Sequence, residues 1–193
     1  MIIHNSDRPS AWVERFASLI PASSVECPVL DLACGQGRHS RFLVKQGHHV
    51  LAIDRDSNAL DQIASGLSPE QVKRIEIVCA DLEGPTWPLE SRSISGLVVT
   101  NYLYRPRLKD LLAMVAPQGV LIYETFAMGN EVFGKPSNPD FLLKPHELLD
   151  WILADQSFQI LGFEQGIVSQ PQSASIARIC AVRSFGIPLQ LPL

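Results

Sequence analysis

The chain has 193 residues, 46% of them hydrophobic and 19% charged, with a formal net charge of −4. That length favours one domain around a single sizeable core, and that composition argues against disorder. The weak acidity gives no general attraction to nucleic acid, and the apolar runs are too short to span a bilayer.

Asp7 and Arg8 stand early with no apolar core segment, so the start does not read as a secretory signal. Cys27, Cys34, Cys79 and Cys180 are widely spaced, with no Cys-x-x-Cys. They predict small buried thiols in a reducing cytoplasm, and no metal site. Residues 10–20 predict an amphipathic helix with Trp12, Phe16, Leu19 and Ile20 on one face, Ser10 as cap and Pro21 as stop. Val29-Leu-Asp-Leu32 reads as a short buried strand, and Gly35 and Gly37 as a tight turn. Residues 38–46 read as a helix with Phe42, Leu43 and Val44 inside and Gly47 as its stop.

A second strand over 49–53 ends at Asp54, with His48 and His49 as solvated residues at its start. Asp56 can cap a helix running to about residue 65, with Leu60, Ile63 and Ala64 buried. A third strand over 74–79 precedes Asp81-Leu82, and a Pro-containing loop covers 84–92. The run 94–100 is nearly all apolar and predicts a strand buried on both faces. A helix over 107–116, with Leu108, Leu111, Leu112 and Val115 inward and Pro117 closing it, leads to a fifth strand over 119–125. The repeated strand–helix alternation predicts an α/β fold with a doubly wound, mostly parallel sheet. Residues 145–155 predict another helix with Pro145 in its first turn. Strands over 158–167 and 175–182 have no helix between them and can pair as an antiparallel edge hairpin. Residues 184–193, with two prolines, predict an irregular tail to a single domain spanning 1–193.

The stretch Val29-Leu-Asp-Leu-Ala-Cys-Gly-Gln-Gly-Arg-His-Ser40 combines a strand, a glycine turn and a helix N-terminus, an arrangement suited to a carboxylate or phosphate. Asp31 lies inside the strand, where a carboxylate suits a ligand that carries a cation. A nicotinamide dinucleotide site needs Gly-x-Gly-x-x-Gly, and Ser40 stands at its third glycine. The run resembles the first motif of class I S-adenosylmethionine-dependent methyltransferases, most of all the small bacterial branch with tellurite-resistance and thiopurine-type enzymes. The family pattern is acidic-x-Gly-x-Gly-x-Gly, and its first glycine is Ala33 here, which predicts an ordinary negative φ. The resemblance covers roughly residues 25–125. It implies a Rossmann-like sheet of about seven strands, S-adenosyl-L-methionine as cofactor, and a terminal helix lying over the cofactor cleft.

In such a sheet ligands bind beyond the carboxyl ends of the strands. Acidic or polar residues stand at four of those ends: Asp31, Asp54, Asp81 and Asn101. Asp54, 17 positions after Gly37 and followed by Arg55, has the reach of a ribose-binding carboxylate. On the resemblance, Asp81 accepts from the adenine amine and the Leu82 N–H faces a ring nitrogen. Asp31 takes the ammonium of the methionine moiety, with Ala33, Gly35, Gly37 and Arg38 around it and Arg38 facing its carboxylate. Candidates for the acceptor side are Asn101, Tyr102 and Tyr104 after the fourth strand, and Glu124 with Thr125 after the fifth. Asn101-Tyr102 lacks the two prolines of the Asn-Pro-Pro-Tyr element of amino-group methyltransferases. Arg105, Arg107 and Lys109 read as a solvated helix start that can also attract an anionic substrate. Residues 127–144 are too rich in Gly, Pro and Asn for a regular element and predict a lid over the substrate.

These features predict a cytoplasmic enzyme, monomeric or homodimeric, methylating a small molecule without a nucleic-acid or membrane partner. The alternatives are a tRNA or protein methyltransferase, a non-catalytic S-adenosylmethionine- or nucleotide-binding protein, and an NAD-dependent oxidoreductase, which Asp31 opposes.

Overall fold

Apolar strands that alternate with amphipathic helices bury both kinds of element when helices cover both faces of one sheet. The computed structural model describes residues 8–89, 92–184 and 191–192. Its strands are β1 (Val29–Leu32), β2 (Val50–Asp54), β3 (Ile75–Cys79), β4 (Ile94–Thr100), β5 (Val115–Phe126), β6 (Phe158–Val168) and β7 (Ala174–Arg183). They form one sheet in the order β3-β2-β1-β4-β5-β7-β6. The first five are parallel, and β7 runs antiparallel to both β5 and β6. The expected doubly wound sheet with an antiparallel edge pair is therefore the fold.

The helices are α1 (Ala11–Phe16), α2 (Arg38–Lys45), α3 (Ser57–Leu60), α4 (Pro69–Val72), α5 (Leu108–Met114) and α6 (Glu147–Ala154). Trp12, Phe16, Leu43 and Leu60 pack on one face of the sheet against Val29, Ala52, Val98 and Ile122. Leu108, Leu112, Leu148 and Ile152 pack on the other, against Leu30, Leu51, Leu97 and Leu121. Successive strand residues serve opposite cores, as the two-residue period of a strand requires. β1 lies between β2 and β4, so the chain leaves it in opposite directions. A crevice opens at such a switch point, beyond the carboxyl ends of the strands.

Several local expectations are corrected. The first helix ends at Phe16 and continues as a 3-10 turn over Ala17–Leu19. Phe42 of α2 is half-buried, while Gly47 closes that helix at φ +97 as expected. Its N–H reaches the Val44 carbonyl at 2.9 Å, and the His48 N–H reaches that of Leu43 at 3.1 Å. The helix after Asp56 shrinks to four residues, with Ala64 exposed. The unforeseen α4 starts on a capping box between Ser68 and Gln71 with Pro69 following the cap.

Strand β5 begins at Val115, not Gly119, because Ile94 pairs with Val115 before the register shifts to Gly96 opposite Val120. Pro117 lies in that bulge, where no ladder hydrogen bond is asked of it. Pro145 precedes α6 rather than opening it, since His146 at φ +63 is the N-cap. Residues 127–144 hold two 3-10 turns, Asn130–Val132 and Pro139–Phe141, and an Ala127–Leu143 bridge. All four cysteines are free thiols, but Cys79 is exposed and Cys27 half-buried. No metal-binding cluster occurs among the described residues. The tail expected over 184–193 falls outside the described residues except for Ser184, Leu191 and Pro192.

Candidate active site

The turn after β1 is built from left-handed residues. Ala33 has φ +53, Gly35 +55 and Gly37 +75. The negative φ expected at Ala33 is therefore wrong: the chain must leave the strand through αL there whether or not the residue is glycine. That conformation costs an alanine about 1–3 kcal/mol. Gly35 has open space where a Cβ would stand, so its backbone is free to approach a ligand. Gly37 is needed for a different reason, because its Cβ would come 2.6 Å from Ile63 Cγ1. It brings α2 close to the segment after α3.

Asp54, at the end of β2, accepts the Gly35 N–H at 2.8 Å on one oxygen and the Asp56 N–H at 3.0 Å on the other. Each oxygen keeps a further lone pair. Asp56 in turn caps α3 through the Asn58 and Ala59 N–H groups. After β3, Asp81 accepts the Glu83 N–H at 3.0 Å. After β4, Asn101 turns left-handed at φ +56, a conformation asparagine tolerates well.

These strand ends surround one cavity of about 670 Å³, within the usual range for small-molecule sites. Its first half is lined by Ala33, Asp54, Arg55, Asp81, Leu82 and Glu83. The second half carries Asn101, Tyr102, Thr125, Phe126 and residues of the 127–144 loop, including Lys135 and Phe141. Eight expected site residues thus meet around it: Ala33, Asp54, Arg55, Asp81, Leu82, Asn101, Tyr102 and Thr125. Asp31, Gly35, Gly37 and Arg38 are not among its lining residues.

Asp31 is 1% exposed and takes a hydrogen bond from the Ser40 hydroxyl. Its Oδ1 is buried without a hydrogen-bond partner. Burial pushes its carboxyl up to about 6, against the Ser40 bonds and the nearby Arg38 charge, which lower it. Arg38 is half-buried, and desolvation lowers its pKa, opposed by Glu124 and Asp31.

Of the acceptor-side candidates, Asn101 and Thr125 line the cavity, and so does Tyr102. Its hydroxyl is buried without a hydrogen-bond partner, and desolvation raises its pKa. Tyr104 is half-buried outside the lining. Glu124 is also outside the lining, accepting from Ser10 Oγ at 2.7 Å and from Arg178 at 3.1 Å.

Sequence reasoning missed that last network. The buried His39 takes the Ser10 N–H on Nε2 at 3.1 Å and faces the Thr100 hydroxyl with Nδ1. Desolvation first, then Arg38, pushes His39 down to about 3, so it is neutral. Arg178 also stacks 4.7 Å over Trp12. Together these contacts fasten the start of α1 to α2, β4, β5 and β7. Their partners are separated by tens of residues, and no local pattern announces them. Arg105, expected at a solvated helix start, is corrected as well. It is not a solvated cation but makes paired bonds to both Glu147 oxygens, at 2.6 and 2.9 Å.

Residues 29–119 match the methyltransferase-domain family. Those residues are similar to a methyltransferase domain. TehB from Haemophilus influenzae shares the fold of this chain with a TM-score of 0.67 at 19% identity, over 89% of this chain and 61% of that one. The glycopeptide N-methyltransferase MtfA, solved with S-adenosyl-L-methionine, superposes at 0.58 with 16% identity over 88% and 92% of the two chains. The mitochondrial ubiquinone biosynthesis O-methyltransferase of Schizosaccharomyces pombe is 27% identical over 103 residues, 51% of this chain. The chain spans 38% of that relative's length. No helix among the described residues is long and apolar enough to cross a membrane.

Proposed function

We propose that this chain transfers the methyl group of S-adenosylmethionine to a small molecule. The observation that carries the reading is one cavity ringed by Ala33, Asp54, Asp81, Leu82 and Asn101 at the ends of four neighbouring parallel strands or just beyond them. The residues present fit the cofactor. Asp54 has lone pairs left for two ribose hydroxyls, Asp81 for an adenine amine, and the Leu82 N–H for a ring nitrogen. The orphaned Oδ1 of buried Asp31 suits an ammonium, and Arg38 the adjoining carboxylate. Ala33, Gly35, Gly37 and Arg55 complete that binding surface.

The bound sulfonium supplies a methyl carbon whose bond to sulfur breaks onto sulfur as the acceptor's lone pair bonds to carbon. The protein's contribution is to position and to exclude water. Asn101 and Tyr102 border the place where the acceptor would meet the methyl group. Residues 127–144 act as the wall or lid of the acceptor half. Tyr104 and Glu124 act at one remove, Glu124 by holding Ser10. A small acceptor suits a cavity of this volume and a chain of net charge −4. We take the enzyme to work in the cytoplasm as a monomer or homodimer. A screen with methyl-labelled S-adenosylmethionine over small thiols, amines, phenols and organic acids tests the proposal. Labelled product from one of them is expected, and labelling of tRNA or protein alone would overturn the small-molecule reading.

A further inference from the structure

The two halves of the cavity differ in charge. The half formed after β1, β2 and β3 holds three carboxylates, Asp54, Asp81 and Glu83, beside Arg55. The half formed after β4 and β5 holds one charged side chain, Lys135, among Asn101, Thr125, Phe126, Asn138 and Phe141. The order β3-β2-β1-β4-β5 separates the halves in space. Lys135, an exposed side chain, makes no hydrogen bond or ion pair with another described residue.

The segment that carries Lys135 is fixed from both sides. Asn130, 2% exposed, donates from Nδ2 to the Pro136 carbonyl at 3.0 Å and accepts the Ser175 N–H at 3.2 Å. Arg105 binds the carbonyls of Asp140 and Leu142 at 2.6 and 2.9 Å. A cation on a braced loop is partly preorganised for an anion, which lowers the entropy lost on binding. Phe126 and Phe141 offer apolar surface to the rest of the same molecule.

Resting on the methyl-transfer reading, we propose that the acceptor is a small organic acid. Its carboxylate pairs with Lys135 and its apolar body lies against Phe126 and Phe141. The accepting atom, on the far side of that body, is turned toward Asn101 and Tyr102.

The test compares hydroxy- and thiol-bearing aromatic and aliphatic carboxylic acids with the primary amides of the same acids. Acids should be methylated at least about tenfold more efficiently in kcat/KM than their amides. The same acids should bind, by calorimetry, to protein saturated with S-adenosylhomocysteine. Lys135→Glu should cut acid binding and kcat/KM by about tenfold or more, Lys135→Arg should retain most of both, and cofactor affinity should stay unchanged in each. Equal use of acids and amides, or acid binding indifferent to Lys135→Glu, would overturn the proposal. So would a panel in which no acid binds although the cofactor does. Absence of cofactor binding would instead defeat the methyl-transfer reading itself.

Discussion

Asp54 takes the Gly35 N–H at 2.8 Å, so the carboxylate proposed for the ribose also fastens the end of β2 to the turn after β1. Its second oxygen holds the Asp56 N–H ahead of the α3 cap. Asp54→Ala should therefore lose two things at once. Cofactor affinity should fall at least about tenfold, since charge-assisted bonds are worth roughly 1.5–3 kcal/mol each. Stability should fall by about 1 kcal/mol, because two N–H groups lose a partner that water only partly replaces. Calorimetry and urea unfolding read the two effects separately. A variant of unchanged stability and unchanged affinity would remove both roles.

Ala33 sits at φ +53 between β1 and the glycines. Glycine adopts that conformation without the Cβ clash but loses more chain entropy on folding. The first effect is the larger, so Ala33→Gly should raise stability by roughly 0.5–1 kcal/mol. A lower melting temperature would show that the Ala33 methyl contributes packing that outweighs its strain.

Asp31 sets stability against binding. Its carboxyl is raised by burial from the ordinary 3.8 to about 6. Because the fold then holds a proton that the unfolded chain releases, stability should decline as pH rises from about 4 to about 6 and level off above. Keeping the group ionised in the fold costs about 3 kcal/mol, at about 1.4 kcal/mol for each tenfold in the equilibrium. Asp31→Asn should flatten that slope and stabilise the free protein near pH 7.5 by about 1–2 kcal/mol, the rest being lost to an unpartnered amide. The same variant should bind S-adenosylmethionine less tightly, and wild-type affinity should rise through pH 6 as the carboxylate ionises. A steeper slope in the variant, or unaltered affinity, would contradict this account.

Arg105 joins the chain after β4 to Glu147 and to two carbonyls of the 127–144 loop. Arg105→Met should cost about 1–3 kcal/mol, discounted because the guanidinium is a third exposed. It should also speed proteolytic cleavage within residues 130–142. Unchanged cleavage would mean that Asn130 alone braces the loop.

The sequence revealed most where one side chain type had one local consequence. Val29–Leu32 and Ile94–Thr100 have the bounds the apolar runs predicted, because burial on both faces leaves no alternation to blur. Asp56 and Gly47 cap and stop their helices through contacts within a few residues. It revealed less where distant segments decide. Val115 reads as the inward face of a helix until Ile94 pairs with it as strand. Gly37 reads as a ligand turn, yet Ile63 is what forbids its Cβ. Arg105 and Glu124 read as solvent-facing or catalytic groups, whereas their partners Glu147, Ser10 and Arg178 lie far along the chain. Ala33 shows the limit of residue preference, since the turn imposes αL on a residue that disfavours it.

The most direct test is a calorimetric titration of the purified chain with S-adenosylmethionine, S-adenosylhomocysteine and NAD. The account predicts that the first two bind one-to-one and compete for the cavity formed by Asp54, Asp81 and Asn101, and that NAD displaces neither. Tight binding of NAD with no heat from S-adenosylmethionine would contradict it.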